Sequence, residues 1–137
     1  MIEVSATYEG ELRCVATHGP SSSVLFTDAP TDNHGKGEAF SPTDLVATAF
    51  ATCVMTVIGI VARREGIELR GMSARVEKHM VVQPTRRIGH MPLHVSIPGK
   101  VTPEQRRKLE AAARTCPVHK SLHPDVSAPI EFTYPDA

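Results

Sequence analysis

A chain of 137 residues allows one domain, or half of an intertwined dimer. Its 15 basic and 15 acidic side chains cancel to a formal net charge of zero, which offers no basic surface for nucleic acid and no acidic tract for a disordered tail. Aromatic residues make up only 4% with no Trp, so a base-stacking surface is excluded in favour of an aliphatic core.

The N-terminus, MIEVSATYEG, has no charged segment followed by an apolar one, and no secretory signal is expected. Three cysteines in a chain that reads as cytoplasmic point to reactive or metal-binding use rather than a disulfide framework. Ile2–Tyr8, Leu12–His18 and Val24–Thr27 are predicted as a three-stranded antiparallel meander, with turns around Gly10 and Gly19-Pro20. Asp28–Phe40 is a loop rich in turn formers. Its piece His34-Gly35-Lys36-Gly37-Glu38 lacks phosphate-loop spacing and reads as a flexible connector.

Ser41 to Gly66, SPTDLVATAFATCVMTVIGIVARREG, is the stretch around which the chain is organised. Ser41, Pro42 and Asp44 give a capping hydroxyl, a proline at the first helical position and a carboxylate near the positive helix end. Arg63, Arg64 and then Gly66 close it. No charge lies between Asp44 and Arg63, and only Thr48, Thr52 and Thr56 interrupt the apolar surface. A helix with no polar face is expected to be covered on every side, either by a membrane or by the rest of the domain. The threonines, Gly59 and the amphipathic flanking strands favour the second.

Met72–Val82 and Ile88–Ile97 are predicted as two long strands joined by a turn at Pro84. Thr102-Pro103-Glu104-Gln105 starts a helix that ends near Thr115; Cys116-Pro117 begins a short turn to Leu122, and Ala128–Tyr134 is a last strand. The order β-β-β-α-β-β-α-β predicts an α+β fold with antiparallel sheet, in one domain over 1–137.

Cys116 starts a helical turn, where unpaired N–H groups lower a thiol pKa. Cys53 lies mid-helix among apolar residues, where desolvation raises it. Taken alone, Cys53 reads more readily as a small core hydrophobe than as a nucleophile, and Cys14 on a strand reads as structural. Cys116, His119 and His123 have a spacing compatible with metal ligands, but they make half a site without a partner pair.

S-P-T-D-L followed eight residues later by Cys53 on an apolar helix, and about sixty residues on by Cys116-Pro117-Val118 at a helix start, resembles the OsmC/Ohr superfamily. The resemblance covers most of the chain. It implies antiparallel sheets wrapped around a central Cys-bearing helix in an intertwined homodimer. It implies a thiol-dependent peroxidase for organic hydroperoxides, with Cys53 peroxidatic, Cys116 resolving, an external dithiol reductant and no cofactor or metal. An apolar pocket at Cys53 favours organic peroxides over hydrogen peroxide. The alternative on the same fold is a non-catalytic dimer that senses redox state or binds a small ligand.

Two positions depart from the family's best-known peroxidases. Their glutamate, ten residues before the first cysteine, is replaced by Thr43, leaving Asp44 as the candidate orienting acid. Their hairpin arginine falls near Glu11, leaving Arg13, two residues on, as the candidate thiolate activator. Arg86 or Arg87 of a second subunit are the other sources of a cation.

Overall fold

A computed structural model describes residues 1–137, which form two compact units, Met1–Val46 and Ala47–Ala137. In the first, β1 (Val4–Gly10), β2 (Arg13–His18) and β3 (Val24–Asp28) form the expected antiparallel meander in the order β1-β2-β3. The first turn is tighter than expected. Glu11 and Leu12 both take left-handed backbone angles (φ 52° and 64°), as a two-residue hairpin turn with the right twist demands. That turn places Gly10 opposite Arg13, and the pairing of β2 with β3 places Arg13 opposite Asp28.

Asp28 is 1% exposed, so its carboxylate needs partners. Arg13 supplies two, Nε to Oδ1 and Nη2 to Oδ2, each at 2.7 Å; the Glu38 backbone N–H adds a third at 3.0 Å. These bonds, led by the one from Arg13, hold the Asp28 carboxyl below the usual aspartate range and push the Arg13 guanidinium up. The Asp28 N–H in turn donates to Phe40 O. The 29–40 segment is therefore strapped down rather than a free connector. Gly35 and Gly37 N–H groups donate to Pro30 O and Ala29 O, and a Cβ on Gly35 would lie 1.7 Å from Ala29 O. Only glycine permits that approach.

The helix α1 (Pro42–Arg64) has the predicted cap. Ser41 Oγ accepts the Asp44 N–H at 3.1 Å, and the Asp44 carboxylate accepts the Ser41 N–H at 2.9 Å. Length and composition alone would let α1 cross a membrane. The expectation that it is covered on every side does not hold within this chain. One stripe is buried, Ala47, Phe50, Ala51, Val54, Ile58 and Ala62, while Ile60 is 53% exposed. Thr52 and Thr56 turn their hydroxyls onto the carbonyls of Thr48 and Thr52, so they need no other partner.

In the second unit the two long strands are each broken. Ser73–Val76 (β4) and His79–Val81 (β5) face Leu93–Ser96 (β7) and Arg87–His90 (β6) respectively, antiparallel in both cases. Pro92, which has no N–H, interrupts one ladder; its carbonyl accepts from Glu77, where the other strand breaks. Beyond β7 come α2 (Pro103–Ala113), α3 (Pro117–Ser121) and β8 (Ile130–Thr133). The sheet order is β4-β7-β8; the strand pairs are antiparallel as expected for the α+β fold, except that β8 pairs with β7 in parallel. The passage through α2 and α3 is the long crossover that a parallel pair requires.

Alternation along β7 and on to Ile97 buries Leu93, Val95 and Ile97, and α2 buries Leu109, Ala112 and Ala113. Thr102 and Gln105 form the full capping box predicted for α2. Tyr134 Oη donates to Glu110 at 2.6 Å, fastening the end of β8 to α2.

Leu109→Ala is expected to cost about 2–5 kcal/mol in urea unfolding at fixed protein concentration, against about 1 kcal/mol for Thr102→Ala. For Asp28 the folded pKa is depressed, so its contribution is fully present above the unfolded value of about 3.9 and is lost as pH falls through the folded value. Asp28→Asn should therefore lower the thermal midpoint at pH 7, and the gap to wild type should close below pH ~3.9. A gap that stays constant down to pH ~2 would contradict that role.

Candidate active site

Cys53 and Cys116 come from different elements of the second unit and are brought together. Cys53 is half-buried midway along α1. Cys116 is the N-cap of α3, reached where α2 unwinds through Thr115 and where Pro117 starts the next turn. All three cysteines are free thiols, and the Cys116 side chain hydrogen-bonds to that of Cys53.

The electrostatics of Cys116 reverse the expectation from its helix-start position. Its thiol pKa is raised, first because the residue is fully buried and then because of the hydrogen bond to Cys53. The His119 backbone N–H, 3.4 Å from Sγ, works in the opposite direction and loses. The Val118 N–H acts in the same sense, and the two together do not offset burial of the sulfur. Cys116 therefore holds its proton more tightly than an ordinary thiol.

Around the pair, His119 stacks on Phe50 with ring centroids 5.4 Å apart, and its Nε2 lies 3.2 Å from Ala128 O. A groove of about 330 Å³ runs between α1 and α2, lined by Val57, Ile60, Val61 and Ala112, with Arg64 and Lys108 as its cations. Val57 lies one turn beyond Cys53 on α1, and Thr115, also in the lining, immediately precedes Cys116.

The remaining candidates sit elsewhere. Arg13 belongs to the first unit, clamped by Asp28 and, at 3.0 Å, by Glu38; neither carboxylate uses its Nη1. Asp44 serves the α1 cap, and Thr43 Oγ1 lies 3.2 Å from Ser41 Oγ. Cys14 shares a sheet face with Tyr8 and Thr27. No group of three or more His, Cys, Asp or Glu side chains converges as a metal site, and His123 Nδ1 accepts the Asp125 N–H. Asp28, Glu38 and Phe50 escaped the sequence reading. Pairing Arg13 with Asp28 was available from the meander register; the Phe50–His119 stack carried no sequence signal.

A family model described as OsmC-like protein matches residues 35–131. Among solved structures, a candidate osmotic stress induced and detoxification response protein from Psychrobacter arcticus 273-4 is 41% identical, with TM-score 0.92 over 97% of this chain and 96% of its own. An organic hydroperoxide resistance protein OsmC from Legionella pneumophila shares the fold at 21% identity and TM-score 0.78, over 97% and 96% of the two chains. One from Vibrio cholerae, with captopril bound in one of its active sites, does so at 23% identity and TM-score 0.70, over 95% and 90%. No curated protein matches. On the family match and the Psychrobacter relative, this chain belongs to the OsmC-like family.

Proposed function

We propose that the protein is a thiol-dependent peroxidase that reduces organic hydroperoxides. The observation that carries this reading is the hydrogen-bonded pair of free thiols, Cys53 and Cys116, with Cys116 holding its proton more tightly than an ordinary thiol. The Cys53 sulfur, as thiolate, attacks the distal peroxide oxygen. The O–O bond breaks, the alkoxide takes up a proton and leaves as alcohol, and Cys53 becomes a sulfenic acid. The Cys116 sulfur then attacks Cys53. The S–O bond breaks, and hydroxide leaves with the Cys116 proton as water, giving a disulfide that an external dithiol reduces.

The apolar lining of the neighbouring groove suits the carbon skeleton of an organic peroxide better than hydrogen peroxide. Arg13 is the activating cation of this proposal and Asp44 the orienting acid, carried over from the family resemblance. A single OsmC-like domain working as a cytoplasmic homodimer completes the reading. It is supported by apolar side chains left open on both faces of the meander, Val4 and Tyr8 on one and Val24 and Phe26 on the other, and by Ile60 on α1.

Turnover of cumene hydroperoxide with a dithiol tests it. Cys53→Ser is expected to abolish consumption, and Cys116→Ser to allow one turnover and block disulfide recycling. Arg13→Gln is expected to slow the first step about 10²–10³-fold while leaving the second unchanged. Multiple turnover retained in Cys53→Ser would overturn the assignment. Two free thiols inert to every peroxide would favour the redox-sensing or ligand-binding dimer.

A further inference from the structure

The helix that presents Cys116 is too short to hold its own shape. Pro117–Ser121 is five residues, whereas isolated helices in water need roughly 12–15. Yet its first turn must stay closed for the His119 N–H to reach Cys116 Sγ. The side chain of the same residue supplies two tethers. The imidazole stacks on Phe50 with an interplanar angle of 22°, and Phe50 is fully buried one turn before Cys53 on α1. Its Nε2 meets the carbonyl of Ala128, two residues before β8. A carbonyl only accepts, so Nε2 carries the hydrogen, and the neutral ring has its lone pair on Nδ1. His119 thus ties the turn carrying one thiol to the helix carrying the other.

We propose that His119 is a positioning residue for disulfide formation, its ring holding the Cys116 sulfur in place to close the S–S bond with Cys53. The inference rests on the two-cysteine reading above. The step it serves is the condensation of Cys116 S–H with Cys53 S–OH, in which the S–S bond forms and water leaves. His119 acts through the backbone of α3 and exchanges no proton in the step.

The test needs no peroxide. In a Cys14→Ser background, so that only Cys53 and Cys116 exchange, the protein is equilibrated in glutathione redox buffers and the effective molarity of the disulfide is measured. His119→Ala is expected to lower it about 10–100-fold, the scale on which a misplacement of about 1 Å acts. His119→Gln keeps an N–H donor for Ala128 but loses the stack, and His119→Phe keeps the stack but loses the hydrogen bond; each is expected to fall between wild type and alanine. If the alanine variant does not fold, the glutamine and phenylalanine proteins carry the comparison. In a Cys53→Ser protein, the alanine change should also speed alkylation of Cys116, because the sulfur loses its cover.

An alanine variant equal to wild type, or a glutamine variant no better than alanine, would overturn the positioning role alone. A wild-type protein that forms no Cys53–Cys116 disulfide at any glutathione ratio would overturn the two-cysteine reading, and this role with it.

Discussion

The chemistry proposed for this protein hangs on one proton, the one that Cys116 holds. Two neighbouring thiols cannot both ionise readily in an apolar setting, so burial decides which gives way. Cys116 is fully enclosed and Cys53 only half so. The enclosed sulfur holds its proton more tightly than an ordinary thiol, which suits the proposed roles of Cys53 as nucleophile and Cys116 as resolving partner. The arrangement depends on local structure at both ends. α2 must unwind at Thr115 and Pro117 must restart the chain so that Cys116 falls at an N-cap. The buried stripe of α1 must run through Phe50 and Val54 so that Cys53, between them in sequence, lies at the edge of the core rather than inside it.

Much of the fold was legible because it follows from short-range chemistry. The α1 cap, the capping box at Thr102 and the meander register all appear where serine, threonine, proline and alternating strands place them. What was illegible is nonlocal. Whether β8 pairs with β7 in parallel depends on where α2 and α3 carry the chain, which no local pattern encodes. The cover of α1 was misjudged for the same kind of reason: an all-apolar surface shows that cover is needed, without showing whether the same chain provides it. Exposed Ile60 leaves part of that need unmet within one chain.

The site divides along the same line. The two cysteines stand out in sequence, yet the shift of the Cys116 thiol was read in the wrong direction, because burial of a helix-start residue cannot be seen from its neighbours in the chain. Arg13 was singled out by its place near a hairpin; its clamp by buried Asp28 and by Glu38 emerges only when the 29–40 strap is folded back on β3. Asp44, expected as an orienting acid, is engaged with the Ser41 N–H at the helix cap. The family relationship supplies the fold and the thiol-bearing helix, while the departures at Thr43 and Glu11 mean that the means of activation must be established on this chain's own residues.

The most direct test of the central claim is a thiol count after exposure of the reduced protein to one equivalent of cumene hydroperoxide, followed by peptide mapping. Free thiols should fall from three to one, with a single bridge between Cys53 and Cys116 and Cys14 untouched. Three thiols remaining after the peroxide has had time to react, or a loss of peroxide that leaves Cys53 reduced, would contradict the account.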